Sequence, residues 1–325
     1  MATQLSDAEL QSILDFTIGL ARRAGEVMLE GSEKIRESGA TDEKKNSVDL
    51  VTEYDVKVEQ LVIGELSKAY PTFKFIGEET FAAGGYKRPE MTDEPTFCVD
   101  PIDGTTNFVH GFPHACISLG LIVARRPVLG VIYNPFLDQL YTARKGHGAF
   151  LSSPHSALPV LAAPRRLPLA RPRPLPSLGQ GLLGIEWGSD RSREMVEKKG
   201  DSFKRLAGNP AEGVEGGRMA HSLRSYGSAA LNYAMVAQGG LDLYWEIGCW
   251  PWDICAGAVI VQEAGGFVAG GHGAPLDNDV NEDVLWGRKH IVVRAIGDTE
   301  TEKGVDAQKR IIREMYETVA DFDPK

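Results

Sequence analysis

The short run Thr96 to Val99 breaks into the acidic turn Asp100-Pro101-Ile102-Asp103-Gly104, and no other stretch restricts the fold as much. β-Branched and aromatic residues favour a strand over Thr96 to Val99, and Pro101, which cannot donate to a ladder, predicts that the strand stops there. Asp100 and Asp103 then fall just past the predicted strand end. Gly104-Thr105-Thr106 can open a helix whose free N–H groups attract an anion. Hard cations such as Mg²⁺ take oxygen ligands, a few carboxylates together with substrate phosphate oxygens. The order of strand, acidic turn, hydroxyls and helix start therefore suits a divalent ion presenting a phosphate. It equally suits an Asx-turn closing a strand.

Spacing narrows the metal reading. A calcium-binding EF-hand loop sets acid or amide groups at alternate positions and follows them with Gly and a later Glu. Here the two carboxylates are three positions apart and no matching Glu follows. A phosphatase with an aspartyl nucleophile would show Asp-x-Asp before Gly-Thr, so the extra residue argues against it. Neither pattern fits.

At 325 residues the chain exceeds a typical single domain, which predicts two lobes, 1–178 and 179–325. With 42% hydrophobic and 25% charged residues it has ordinary globular composition. A net charge of −10 argues against nucleic-acid partners, and it suits an anionic substrate only if bound cations invert the local sign. Cys98, Cys116, Cys249 and Cys255 show no CxxC pair and no zinc spacing, which predicts reduced, buried thiols in a cytoplasmic protein. Met1 to Asp7 lacks the basic flank and apolar core of a signal peptide, and no run approaches the roughly 18 apolar residues of a membrane span, so no membrane partner is expected.

Along the chain, Ser6 and Glu9 form a capping-box sequence. Leu10, Ile13, Leu14, Thr17, Ala21, Ala24, Val27 and Met28 then predict an amphipathic helix ending near Gly31. Glu33 to Ser47 reads as a charged loop. Asp55 reads as an acidic helix start before Val58, Leu61, Val62 and Leu66, with the helix running to Tyr70. Phe73 to Ile76 is a short strand ended by Gly77-Glu78-Glu79-Thr80, whose adjacent acids suit a solvated pair as well as a site. His110 and His114 read as packing residues, since hard oxygen sites rarely recruit imidazole. Cys116 to Ala124, Val128 to Tyr133 and Gln139 to Ala143 predict an antiparallel meander.

Pro154 to Pro176 holds seven prolines and four arginines, which predicts a mobile, extended insertion or an Arg/Pro docking peptide. Leu182 to Trp187 and Leu241 to Glu246 read as strands, and Ser192 to Leu206 as a polar helix. Gly227-Ser228-Ala229-Ala230 starts a helix through Val236 that Gly239-Gly240 stops. Asp253 precedes an apolar helix to Glu263, where an N-cap would be worth about 1 kcal/mol. Phe267-Val268 and Ile291 to Val293 are late strands, and Gly304 to Ala320 reads as a closing helix with no evident chemistry.

Read in full, Asp100 to Gly111 with Phe112-Pro113 closely resembles the inositol monophosphatase family. Asp49 to Thr52, Gly77 to Thr80 and Trp250 to Ala258 match the same family in the same order, and the likeness spans roughly residues 10 to 296 outside the Pro-rich stretch. The resemblance implies an α/β fold, an αβαβα sandwich of the inositol monophosphatase and fructose-bisphosphatase type, and a homodimer. It implies two or three Mg²⁺ ions on Glu78, Asp100, Asp103, Asp253 and the Ile102 carbonyl. A water would be held and deprotonated by Thr105 with Asp55 behind it, Glu79 acting in support. Substrate contacts would fall on Gly104, Thr105, Thr106, Ser189, Gly227, Ser228, Ala229 and Glu246, with Lys44 on a segment that closes over the site. The implied reaction is hydrolysis of a phosphate monoester, myo-inositol monophosphate first. Histidinol phosphate, a nucleotide 3′-phosphate or a sugar phosphate is the alternative. A non-catalytic metabolite-binding relative would show a broken carboxylate set, and here every ligand position is intact.

Overall fold

The computed structural model describes residues 5–38, 42–43 and 50–324. The first main sheet is built in chain order from β1 (Lys74–Gly77), β2 (Thr96–Asp103), β3 (Cys116–Val123), β4 (Arg126–Asn134), β5 (Gln139–Arg144), β6 (Ala149–Ser152) and β7 (Arg165–Arg166). Only β1 and β2 pair in parallel; the rest form the expected meander. The second sheet contains β8 (Leu182–Ile185), β9 (Ser222–Arg224), β10 (Leu243–Ile247), β11 (Phe267–Ala269) and β12 (Lys289–Val293), in the spatial order β9-β8-β10-β12-β11.

Alternation along the strands decides the layers, because successive side chains leave opposite faces. Phe97 and Val99 point to α1 (Asp7–Ser38) and α2 (Glu53–Ala69), where Leu20, Met28, Val58 and Leu66 meet them. Cys98, between them, faces the interior with α6 (Ala229–Gln238) and α7 (Pro251–Glu263). In the second sheet Tyr244 joins that inner layer, while Leu243 and Trp245 pack on α5 (Arg193–Ala207) and α8 (Gly304–Thr318). The result is the αβαβα sandwich. α7 is apolar all round, as a helix between two sheets must be. Its approach to the first sheet depends on Gly120 and Gly130: a Cβ there would run into Cys255 and the Ala256 carbonyl.

Three sequence expectations need correction. Strand β2 does not stop at Pro101 but continues to Asp103, with a register irregularity between Asp100 and Asp103. A proline is tolerated at such a bulge, where the ladder is already interrupted. Helix α1 passes through Gly31 to Ser38 because this glycine is a packing device: an added Cβ would strike the Tyr54 ring. The insertion 154–176 is not a loose extended segment. Arg165-Arg166 adds to β6, Leu167 and Leu175 are buried, and the carbonyls of Arg173 and Pro176 accept from Arg294 and Arg310, each at 2.7 Å. Proline carries no N–H, but its carbonyl remains an acceptor, and two arginines use such backbone oxygens to fasten the segment.

Candidate active site

Because β1 and β2 are parallel, with Gly77 opposite Val99, their C-terminal ends share one edge of the sheet. Glu78, the first residue of α3 (Glu78–Ala83), and Asp100 therefore emerge side by side. The third carboxylate, Asp103, follows from the bulge. Asp253 arrives from the middle layer as the third residue of α7, accepting the Trp250 N–H at 2.6 Å. It is thus the distal acid of a capping box and not the N-cap. Asp100, Asp103 and Asp253 each bring a carboxylate oxygen to within 4.8 Å of the others.

The electrostatics of this cluster are unfavourable without a cation. Burial, then the charges of Glu78 and Asp103, push the Asp100 carboxyl well above its ordinary range. Asp253 is raised the same way, by burial and then by Asp103 and Glu78. Asp103 is pushed up to about 6 by burial, opposed by hydrogen bonds from Ser228 Oγ at 2.6 Å, Ala230 N at 2.7 Å and Ala229 N at 3.3 Å. Among the described residues no lysine or arginine forms an ion pair with Asp100, Asp103 or Asp253, and the buried Oδ1 of Asp100 has no hydrogen-bond partner. Like charges held together in a buried site with an orphaned oxygen fit a divalent cation on hard oxygen ligands.

Beside the cluster, Gly104 turns the chain at φ 91° into α4 (Thr105–His110). A Cβ at Gly104 would come within 2.9 Å of the His114 carbonyl oxygen, so only glycine fits. The Thr105 hydroxyl lies 3.1 Å from Asp55 Oδ1 and 3.1 Å from the Ile102 carbonyl. Asp55 is fully buried and its second oxygen accepts from Thr52 N and Thr52 Oγ1, both at 2.7 Å. The carboxylate that caps α2 is the one that orients Thr105. Glu79 follows Glu78 on α3, and its backbone N–H is held by Glu59 Oε2 at 2.8 Å.

A cavity of about 480 Å³ opens over these groups, within the size range of small-ligand sites. Glu78, Asp103, Asp253 and Thr106 line it, together with Ser189, Gly227, Ser228, Ala229 and Glu246. Ser228 and the Ala229 amide are already turned toward Asp103, and the Gly227 amide donates to Glu186 at 2.9 Å. Glu246 lies inside β10, paired to the Tyr244 hydroxyl, and burial with the charge of Glu186 pushes it up to about 7. His114 packs on Tyr226 at 4.8 Å and burial lowers it to about 4, in keeping with a packing role. Lys44 lies outside the described residues.

Sequence reasoning missed Glu59, Glu186 and Lys199. Glu59 is buried under the Glu78-Glu79 turn, where it also accepts from Thr80 N and Thr80 Oγ1. Its signal was an acid among apolar positions of an amphipathic helix. Glu186 accepts from Ser225 Oγ, Tyr226 N, Gly227 N and Asn232 Nδ2, fastening the loop before α6. No local pattern marked it.

A layered α/β sandwich with an acidic cluster where two strand ends meet a buried helix defines a candidate divalent-metal site. The model of the inositol monophosphatase family matches residues 9–311. Inositol monophosphatase 2 of Saccharomyces cerevisiae is 46% identical over 73% of this chain and 76% of its own. Protein qutG of Emericella nidulans is 38% identical, covering 99% of this chain and 98% of its own. Among solved structures, the extragenic suppressor protein suhB of Bartonella henselae aligns with a TM-score of 0.70 at 26% identity, over 95% of this chain and 100% of that one. The chain belongs to the inositol monophosphatase family and is a metal-dependent phosphatase of small phosphate monoesters. None of its described helices is long and apolar enough to cross a membrane.

Proposed function

We propose that the protein hydrolyses myo-inositol monophosphate to inositol and phosphate, with two or three Mg²⁺ ions held by Glu78, Asp100, the Ile102 carbonyl, Asp103 and Asp253. The observation that carries this reading is the convergence of Asp100, Asp103 and Asp253 within 4.8 Å, Asp103 and Asp253 lining a ligand-sized cavity, with one buried oxygen of Asp100 unpartnered. When bound, such an ion supplies Lewis-acid polarisation of the phosphoryl group and of a water. The chain's own residues do the rest. Thr105 holds the attacking water and relays its proton: as the hydroxyl oxygen accepts it, the hydroxyl's own proton passes along the 3.1 Å hydrogen bond to the Asp55 carboxylate. Glu79 supports Glu78 on the turn that Glu59 fixes from below. Gly104 and Thr106 flank the phosphoryl group. Ser189, Gly227, Ser228, Ala229 and Glu246 line the space for the leaving alcohol, and Glu246 accepts from its hydroxyls.

No thiol beside the cluster is suited to covalent catalysis. The thiol nearest the cluster, Cys116, is pushed well above its ordinary range by burial and by the Asp103 charge, so it stays protonated. The proposed route is direct attack by water. A second reading, another small phosphate monoester, draws on the end-to-end likeness to protein qutG, whose name does not refer to inositol. Both are tested by phosphate release from a panel holding myo-inositol monophosphate, histidinol phosphate, a nucleotide 3′-phosphate, a sugar phosphate and p-nitrophenyl phosphate. The expected result is the highest kcat/KM on the inositol ester, with Mg²⁺ required and chelator abolishing turnover. A tenfold preference for another ester would replace the substrate, and no release from any would end the reading.

A further inference from the structure

We infer that Lys199 is a specificity-determining residue of this cavity: its ammonium group, set opposite Glu246, donates to an oxygen of the leaving alcohol, so that the site selects a polyhydroxylated phosphate monoester over a plain one. The inference rests on the phosphatase reading above and adds a residue and a selection rule to it. Lysine is among the residues least often buried, and it is rarely so without a partner. Lys199 sits in the interior of α5 with 2% of its surface exposed, yet it lines the cavity. The described residues take one of its three donors, through the Trp187 carbonyl. The Phe322 ring, 5.7 Å from Nζ, covers it on another side.

Glycine at position 188 marks where Lys199 and Glu246 come together in the cavity wall. At φ 63° the chain bends at the end of the strand-like stretch, and a Cβ there would lie 3.0 Å from Lys199 Nζ and 3.8 Å from Glu246 Oε1. Lys199 Nζ and Glu246 Oε1 thus both lie close beside Gly188 in the cavity wall, and no ion pair between them occurs among the described residues. Burial lowers the lysine and the facing Glu246 raises it, which is the environment of an ammonium still short of acceptors. A ring bearing neighbouring hydroxyls offers both: one oxygen accepts from Lys199 while the next donates to Glu246. A plain aryl or alkyl phosphate offers neither.

The test compares kcat/KM for myo-inositol monophosphate with that for p-nitrophenyl phosphate, both with Mg²⁺, in the full chain and in Lys199→Met. The ratio should fall about tenfold or more, mainly through KM, since a hydrogen bond from a charged donor is lost with only one substrate. Lys199→Gln keeps a donor for the Trp187 carbonyl, and its ratio should fall several-fold; it carries the comparison if the methionine variant does not fold. Equal losses on both substrates, or an unchanged ratio in folded protein, overturn the inference. Wild-type protein that releases phosphate from no ester of the panel defeats the phosphatase reading itself, and that is seen before any variant is made.

Discussion

Asp100, in a strand of the first sheet, and Glu186, at a strand end of the second, are both carboxylates buried to within a few per cent, and they are opposites. Glu186 collects hydrogen bonds from two backbone amides, a hydroxyl and a carboxamide. Asp100 has a buried oxygen with no partner and acidic neighbours whose charges oppose its own ionisation. A satisfied buried acid fastens structure, whereas an unsatisfied one within a cluster of its own sign stores a cost that only a ligand relieves. The surroundings of Glu186 are finished by folding; those of Asp100 are left for a ligand to finish, on the proposed reading a cation.

The largest expected effect falls on the unfinished side. Asp100→Asn should cut Mg²⁺-dependent phosphate release by about a thousandfold or more, a loss of several kcal/mol in transition-state stabilisation. The same substitution removes one charge from a self-repelling cluster, so metal-free variant should melt at a higher temperature than metal-free wild type. Thermal melts in chelator check this, and a lower melting temperature would erase the contrast with Glu186. For that residue the expectation is reversed. Glu186→Ala leaves the Tyr226 and Gly227 amides and the Asn232 carboxamide without their acceptor and should cost about 3 kcal/mol whether or not magnesium is present. The midpoint of urea unfolding, at unchanged slope, measures it; a cost that vanished with added magnesium would place Glu186 on the metal side.

Thr105→Val sharpens the comparison at intermediate scale. Its hydroxyl joins the two classes, since it contacts Asp55, an acid finished by its own helix cap. Removing the hydroxyl should lower kcat about a hundredfold with little change in KM or melting temperature, as expected for a group that acts on a proton in flight. A variant that loses stability but not kcat would make Thr105 part of the scaffold.

What was legible in the sequence follows the same division. The strand over Thr96 to Val99, the meander and the Gly-stopped helix α6 are local patterns, where neighbours in the chain are neighbours in space. The resemblance to a known family supplied Glu78, Asp253 and Asp55, which local reasoning rated as a solvated pair, an N-cap and a helix start. Glu59, Glu186 and Lys199 stayed hidden because their partners lie on other elements: Glu186 meets groups about forty residues downstream. Gly31 was misread for a similar reason, since the Tyr54 ring that requires it belongs to another helix. The insertion looked loose because proline suppresses periodicity, while the buried leucines and the arginines of later elements that hold it are invisible in its composition.

The smallest expected effect tests whether Glu246 belongs with Glu186 or with Asp100. Its carboxyl is held at about 7, against an ordinary 4.5, by burial and by the Glu186 charge, with Lys199 pulling the other way. The folded chain therefore binds this proton more tightly than the unfolded chain does. The stability this gives is complete below about 4.5, declines as pH rises through the window to about 7, and is absent above it. Because Glu246 faces cavity water, the contribution should be only about 1 kcal/mol. Measured in saturating Mg²⁺, wild type should lose that much more stability between pH 5 and pH 8 than Glu246→Gln. Curves that run parallel would mean that Lys199 already compensates the carboxylate, leaving Glu246 finished by folding like Glu186; curves that separate leave it, like Asp100, waiting for a ligand's atoms to complete its surroundings.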